Sequence, residues 1–126
     1  DQLSVKNILS DKSKNIIKDE TINSVKVRFQ KIIDLAPKDL RKLVDSGKKE
    51  IGEGIVIIFA SKDGKIGLAV GVTNKLINKY DAVKFAKIGS ELIGGKGGGG
   101  RPDFAQAGGT DISKVEEAFA KIKSLI

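Results

Sequence analysis

Residues 55–72, IVIIFASKDGKIGLAVGV, carry the clearest structural pattern of the chain. The first six of these residues form a continuous apolar and largely β-branched run, which is typical of a strand covered on both faces. Asp63-Gly64 then favours a two-residue hairpin turn, because such a turn needs positive φ angles that these two residues tolerate. We therefore predict a hairpin whose first strand lies at the centre of a sheet.

The second strand of this hairpin has two unequal faces. Ile66, Leu68, Val70 and Val72 alternate with small residues, so that one face is apolar and the other is nearly bare. A bare face indicates the close approach of either a helix or the backbone of a ligand. A packed helix is the commoner cause, and we favour it here.

Three segments upstream of the hairpin have recognisable patterns. Asn15–Lys18 is compatible with a short strand, and residues 25–30 alternate strictly between apolar and polar side chains, which predicts a strand with one buried face. The opposite face carries Lys26 and Arg28, and we expect it to be solvated. Apolar residues at helical spacing then predict a helix from about Pro37 to Glu50.

Two more helices are predicted downstream of the hairpin. Asp81 is a candidate N-cap for a helix that runs to Ile93, and Asp111 is a candidate N-cap for the last helix. We therefore expect an α/β (α+β) fold, with a small mixed β-sheet of about four strands, three helices and a glycine-rich loop between the last two helices. Residues 15–126 form a single globular domain in this interpretation, and residues 1–14 are the remnant of an upstream helical segment or a linker.

Composition narrows the possible chemistry. The 126 residues include no cysteine and no histidine. This excludes disulfides, the usual zinc ligand sets and a histidine base. We therefore expect no catalytic residues, no metal and no cofactor. The formal net charge of +7 favours a polyanionic partner such as nucleic acid. With no apolar run of transmembrane length and no signal-peptide core, the expected location is cytoplasmic, away from membranes.

The most unusual stretch is GGKGGGGRPDFAQAGG, residues 94–109, which holds eight of the fifteen glycines. A loop of this composition would expose many backbone N–H groups, for which phosphate is the natural guest. Neither the dinucleotide fingerprint nor the P-loop fits, because the stretch follows a predicted helix and Lys96 precedes a glycine rather than Ser or Thr. We expect a backbone cradle with Lys96 and Arg101 at its edges. In the alternative, an Arg101–Asp103 pair closes the loop and the glycines only permit tight packing.

The run GGKGGGGRPDFAQAGGTD resembles the signature near the C-terminal end of alanyl-tRNA synthetases, whose pattern is close to GGKGGGRPDxAQAGG. Weaker similarity extends from about Asn15 to Leu125. It includes Lys38-Asp39-Leu40-Arg41, Asp63-Gly64-Lys65 and Gly71-Val72-Thr73. One departure is visible, since four glycines, residues 97–100, stand where the family has three.

The resemblance implies a globular C-terminal domain of the type shared with DHH-family phosphoesterases. In the synthetases this domain binds the outer corner of the tRNA and couples aminoacylation with editing, while other domains of the protein use ATP and Mg²⁺. The implied partners are tRNA and those other domains. The RNA-binding candidates are Gly95, Lys96, Gly97, Gly98, Gly99, Gly100, Arg101 and Gln106. Possible secondary contacts are Lys38, Arg41 and Lys42.

Two other functions stay open at this point. The domain could be the substrate-binding half of a DHH-family phosphoesterase, although the histidine that usually ends the glycine motif there is missing from this chain. It could also be an interdomain or oligomerisation module, with the glycine-rich stretch contacting another domain.

Overall fold

The computed structural model describes residues 15–33, 40–62, 64–95 and 98–126. In these residues the strands are β1 (Asn15–Ile22), β2 (Val25–Ile33), β3 (Gly54–Lys62), β4 (Lys65–Val72), β5 (Gly99–Arg101) and β6 (Phe104–Gly109). The helices are α1 (Leu40–Ile51), α2 (Ala82–Leu92) and α3 (Val115–Lys123), with short 3-10 turns at Asn74–Leu76 and Ile112–Lys114.

The six strands form one mixed sheet in the order β1-β2-β3-β4-β6-β5. Only β2 and β3 are parallel, with α1 between them in sequence, and the other neighbouring strands are antiparallel. The predicted mixed sheet with helices is confirmed. It has two more strands than expected, because the glycine-rich stretch supplies β5 and β6.

β3 lies between β2 and β4, and its residues from Ile55 to Ala60 are essentially inaccessible to solvent. The apolar run predicted that burial. Two cores explain it, since α1 packs on one face of the sheet through Leu40 and Val44, and α2 and α3 pack on the other through Phe85 and Ile122. The fold is thus a sheet between two helical layers.

The bare face of β4 is explained by α1. A methyl group at Gly71 would overlap Val44 and would lie 2.7 Å from Lys48 Cε, both on α1. Helix packing, rather than a ligand, is therefore the reason for the small residues. The turn that follows β3 keeps the predicted positive φ, with Gly64 at φ 78°, while Asp63 lies outside the described residues.

The helix starts agree with the sequence patterns where they are described. The Asp81 carboxylate accepts a hydrogen bond from Val83 N, and Asp111 accepts one from Ser113 N at the 3-10 turn that leads into α3. The predicted start of α1 at Pro37 and the proposed remnant 1–14 lie outside the described residues.

The first hairpin, formed by β1 and β2, meets the last helix, α3, across the core. The rings of Phe29 on β2 and Phe119 on α3 stack with their centroids 4.1 Å apart. At the periphery of this contact Lys123 Nζ donates to Glu20 at 2.8 Å, and Asn23 Nδ2 donates to the Ile126 carbonyl at 2.6 Å. Residues from both ends of the described chain therefore close one core.

Candidate nucleic-acid interface

The glycine-rich stretch is a β-hairpin at the edge of the sheet rather than a loop. β5 pairs with β6 through Gly99↔Gln106 and Arg101↔Phe104, and β6 pairs with β4. Pairing satisfies backbone groups that an open loop would expose. Because β5 is the outermost strand, its other edge still faces away from the sheet.

Glycine is required in this hairpin for close packing. A methyl group at Gly95 would collide with the carbonyl oxygen of Gly108, and one at Gly98 would collide with that of Gln106. Gly99 is different, because nothing lies within 4 Å of where its Cβ would be. Most of the glycines therefore serve the fold, and Gly99 leaves an open surface.

The two ends of the hairpin segment are fastened to the end of α2. Ser90, which is fully buried, donates its hydroxyl to Gly108 O at 2.5 Å, and its own carbonyl accepts a hydrogen bond from Gly95 N at 2.7 Å. The Ile93 carbonyl accepts hydrogen bonds from the amides of Thr110 and Asp111, at 2.9 and 2.8 Å. This network fixes where the hairpin leaves and rejoins the helical layer.

The turn of the hairpin is held at the other end of β6. Asp103 O accepts hydrogen bonds from Val72 N at 2.9 Å and from Lys48 Nζ at 2.7 Å, and Pro102 O accepts one from Ala82 N at 3.0 Å. Three separate elements, β4, α1 and α2, therefore hold this turn in place.

Arg101 projects from this anchored turn. Its side chain is 65% exposed, and its Nε lies 3.5 Å from Asp103 Oδ1. A single exposed ion pair of this length contributes about 0–1 kcal/mol, so it restrains the guanidinium only weakly. The guanidinium remains able to form a bidentate contact with a phosphate.

Helix α1 brings a second cation to the hairpin. Arg41 Cζ lies 5.5 Å from the centroid of the Phe104 ring, which itself packs against the core under α1. Arg41 and the neighbouring Lys42 are both exposed. The surface formed by Arg41, Lys42, Gly99 and Arg101 is hereafter the hairpin–α1 surface.

The model of the DHHA1 domain family matches residues 24–126. The chain is a DHHA1 domain. It is 45% identical over 108 residues to an alanine–tRNA ligase of Parvibaculum lavamentivorans, with 85% of this chain aligned. It is 48% identical over 103 residues to that of Bradyrhizobium diazoefficiens, with 81% of this chain aligned. The chain spans only 12% of the length of each of these relatives.

Solved structures agree with this assignment. The C-Ala domain of Aquifex aeolicus alanyl-tRNA synthetase superposes with a TM-score of 0.80 and 29% identity, covering 86% of this chain and 96% of that one. A DHH-domain member of the s1p family of ribosomal proteins superposes with a TM-score of 0.56 and 21% identity, covering 95% of this chain and 30% of that one, which shows the fold alone. The resemblance to the C-terminal domain of alanyl-tRNA synthetases is confirmed.

The structure separates the candidate residues of the DHHA1 domain into two groups. Gly95 lies beside Gly108 and Arg101 opposite Phe104, roughly 14 Å apart along an extended β6. Gly95 and Arg101 therefore lie at opposite ends of the hairpin, and the backbone cradle between Lys96 and Arg101 stays a prediction. Gln106 is exposed on β6 opposite Gly99, while Lys38, Lys96 and Gly97 lie outside the described residues.

Both parts of the alternative interpretation of the glycine-rich stretch are present in the DHHA1 domain. Arg101 does pair with Asp103, and the glycines do permit tight packing. The Arg101–Asp103 pair leaves most of the Arg101 side chain exposed on the hairpin–α1 surface, and Gly99 on the same surface is open. The packing role and a binding role therefore apply to different residues of the same hairpin.

Sequence patterns did not predict the roles of two charged side chains of the DHHA1 domain that make contacts within the fold. Lys48 is not among the candidates that the sequence indicates, yet its ammonium group donates to Asp103 O in the hairpin turn. Arg28, expected to be solvated, is only 12% exposed and pairs with Asp19 and Glu50, whose hydrogen bonds raise the Arg28 pKa. The bare face of β4 at Gly71 was the available signal, since it favoured the close approach of a helix, but it did not identify Lys48.

In the part of the chain that the structure describes, no three histidine, cysteine, aspartate or glutamate side chains cluster as a metal site would require. Within the same residues, no helix has both the length and the apolar character needed to cross a membrane.

Proposed function

We propose that this DHHA1 domain is the tRNA-binding C-terminal part of an alanine–tRNA ligase. It grips the outer corner of the tRNA, couples aminoacylation with editing in the cytoplasm, and performs no chemistry of its own. The relatives, which are alanine–tRNA ligases, support this choice of parent enzyme. In this proposal ATP and Mg²⁺ are used by its other domains. The observation that carries the binding role is Arg101, 65% exposed on a hairpin turn that three elements hold in place.

The hairpin–α1 surface is suited to phosphate and sugar rather than to bases. Arg101 and Arg41 present planar guanidinium groups, and the open side of Gly99 lets a nucleic-acid backbone approach the edge of β5. Phe104 is the aromatic residue nearest to these groups, but it is partly buried against the α1 core and covered by Arg41. Stacking on an unpaired base therefore has no platform here, and recognition is by shape.

The proposed contacts follow from this geometry. Arg101 and the edge of β5 at residues 98–100 are the primary contacts, with Gln106 beside them and Lys96 and Gly97 before them in sequence. Arg41 and Lys42 extend the same surface onto α1, and Lys38, outside the described residues, is proposed from the sequence alone. Gly95 takes part through its packing against Gly108, which fixes the hairpin.

Titration of the chain with an alanine tRNA transcript, and with an RNA duplex of equal length, tests the proposal. We expect tighter binding to the tRNA. Arg101→Ala and Lys96→Ala should each weaken binding and reduce the dependence on salt by about one phosphate contact or less. Gly99→Glu should also weaken binding, because it places a carboxylate on the open face without a clash.

Lys121→Ala is the matched control, since it removes an equally exposed cation from α3, away from the hairpin. It should leave the affinity for tRNA close to that of the unmodified chain. Equal losses in Lys121→Ala and Arg101→Ala would show that only net charge matters. No binding to tRNA at all would refute the proposed function.

A further inference from the structure

We propose that Lys48 is a positioning residue, which holds the turn of the hairpin so that Arg101 is presented to RNA. This inference rests on the proposed function. Lys48 is not one of the RNA-binding candidates that the sequence indicates. The basis of the inference is the path that the Lys48 side chain takes between α1 and the turn.

The aliphatic part of Lys48 crosses β4 at its bare residue. A methyl group at Gly71 would lie 2.7 Å from Lys48 Cε, so the side chain lies directly on that glycine. Val44, one helical turn earlier, covers the same position. Packing against Gly71 therefore holds the aliphatic part of Lys48, and it directs the ammonium group to one position rather than into solvent.

The ammonium group ends at the hairpin turn. Lys48 Nζ donates to Asp103 O at 2.7 Å, and the same oxygen accepts Val72 N at 2.9 Å. Asp103 follows Arg101 by two residues and also pairs with its guanidinium. Asp103 therefore shapes the turn and is also the ion-pair partner of Arg101. Loss of the Lys48 contact loosens Asp103 in both roles.

Lys48 and Lys49 are neighbours with different environments. Lys48 is half-buried and donates to a carbonyl of the fold, whereas Lys49 is exposed. A lysine that contacts phosphate directly should contribute to the salt dependence of binding even when Arg101 is absent, whereas a lysine that acts through Arg101 should not. This difference makes the two roles separable.

The experiment is a double-mutant cycle between Lys48→Met and Arg101→Ala, measured as affinity for alanine tRNA over a range of salt concentrations. Methionine keeps most of the aliphatic stem over Gly71 and removes the donor. We expect Lys48→Met to weaken binding about threefold or more, and to cause little further loss of affinity or of salt slope in the Arg101→Ala background, because coupled residues are not additive. Lys48→Arg should restore affinity, and Lys49→Met is the matched control.

Three results would overturn the inference: wild-type affinity in Lys48→Met, a loss that adds in full to that of Arg101→Ala, or a salt slope that Lys48→Met lowers by about one further contact in the Arg101→Ala background. Amide exchange of Val72 and Ala82 gives a readout without RNA, since both amides donate to the turn. Their exchange should be faster in Lys48→Met than in Lys49→Met. Equal exchange rates would refute the positioning role, even if the chain bound no tRNA and the proposed function itself had failed.

Discussion

At the scale of single residues, the glycines of the hairpin differ sharply in what they tolerate. Gly95 has no room for a methyl group against Gly108 O, whereas Gly99, only four positions later, has open space. The sequence alone presents them as equivalent members of one run. Gly95 packs against Gly108 and Ser90 at the end of α2, whereas Gly99 lies on the outermost strand, and only the fold distinguishes the two positions.

Gly95→Ala should destabilise the DHHA1 domain, and Gly99→Ala should not. The added methyl at Gly95 must push Gly108 away from Ser90 and strain the end of β6, and overpacking of this kind costs about 1–3 kcal/mol. Gly99→Ala should leave the unfolding free energy within about 0.5 kcal/mol, as is usual for a surface substitution. Urea unfolding of both variants checks this, and equal stabilities would mean that the Gly95–Gly108 contact is not tight.

At the scale of elements, one arginine joins two strands to a helix. Arg28 on β2 donates to Asp19 on β1 through Nε at 2.8 Å and Nη2 at 3.0 Å, and its Nη1 donates to Glu50 near the end of α1. The hydrogen bonds from Arg28 hold the pKa of Asp19 below its ordinary value. The attachment of α1 to the first hairpin is therefore partly electrostatic.

This link should weaken in acid. Because the pKa of Asp19 is lower in the folded state, its contribution is fully present above the unfolded aspartate value of about 3.9 and is lost as the pH falls through the folded value. Asp19→Asn should therefore lower the urea midpoint at pH 7, and the difference from the unmodified chain should shrink towards pH 2. The exposed Asp45 provides the control Asp45→Asn. A difference that persists undiminished at pH 2 would contradict this account.

The elements also show how far sequence patterns reach. Apolar patterns predicted β2, β3, β4 and the helices, because the side chains of each element show where it is buried. β5 could not be predicted in this way, since Gly99 and Gly100 have no side chains to alternate. Its existence depends on pairing with β6. The contacts of Arg28 and Lys48 could not be predicted for a related reason. Their partners, Glu50 and Asp103, are brought near only by the fold.

At the scale of the whole molecule, the proposed interface contains cations and backbone but no free aromatic platform. Such a surface grips phosphate and sugar without a code for bases. The outer corner of tRNA is a shape that all tRNAs share. Amino-acid identity would then be read by other domains of the parent enzyme.

The chain should accordingly bind alanine tRNA and non-alanine tRNAs within a few-fold of each other. Affinities for one alanine tRNA and two others, measured side by side at one salt concentration, check this. A preference for alanine tRNA beyond about tenfold, roughly 1.4 kcal/mol, would show that this domain reads bases.

The stacked rings of Phe29 and Phe119 have a consequence for the order of folding. They join the first hairpin to the last helix, so their contact closes a very long loop, and such contacts form slowly compared with local hairpins. We expect Phe119→Leu to act on a contact that is absent from the transition state. It should speed unfolding and leave the refolding rate almost unchanged, as the two arms of a chevron would show. If refolding slows by most of the lost stability, the two ends of the chain meet early, and the core is nucleated where they meet.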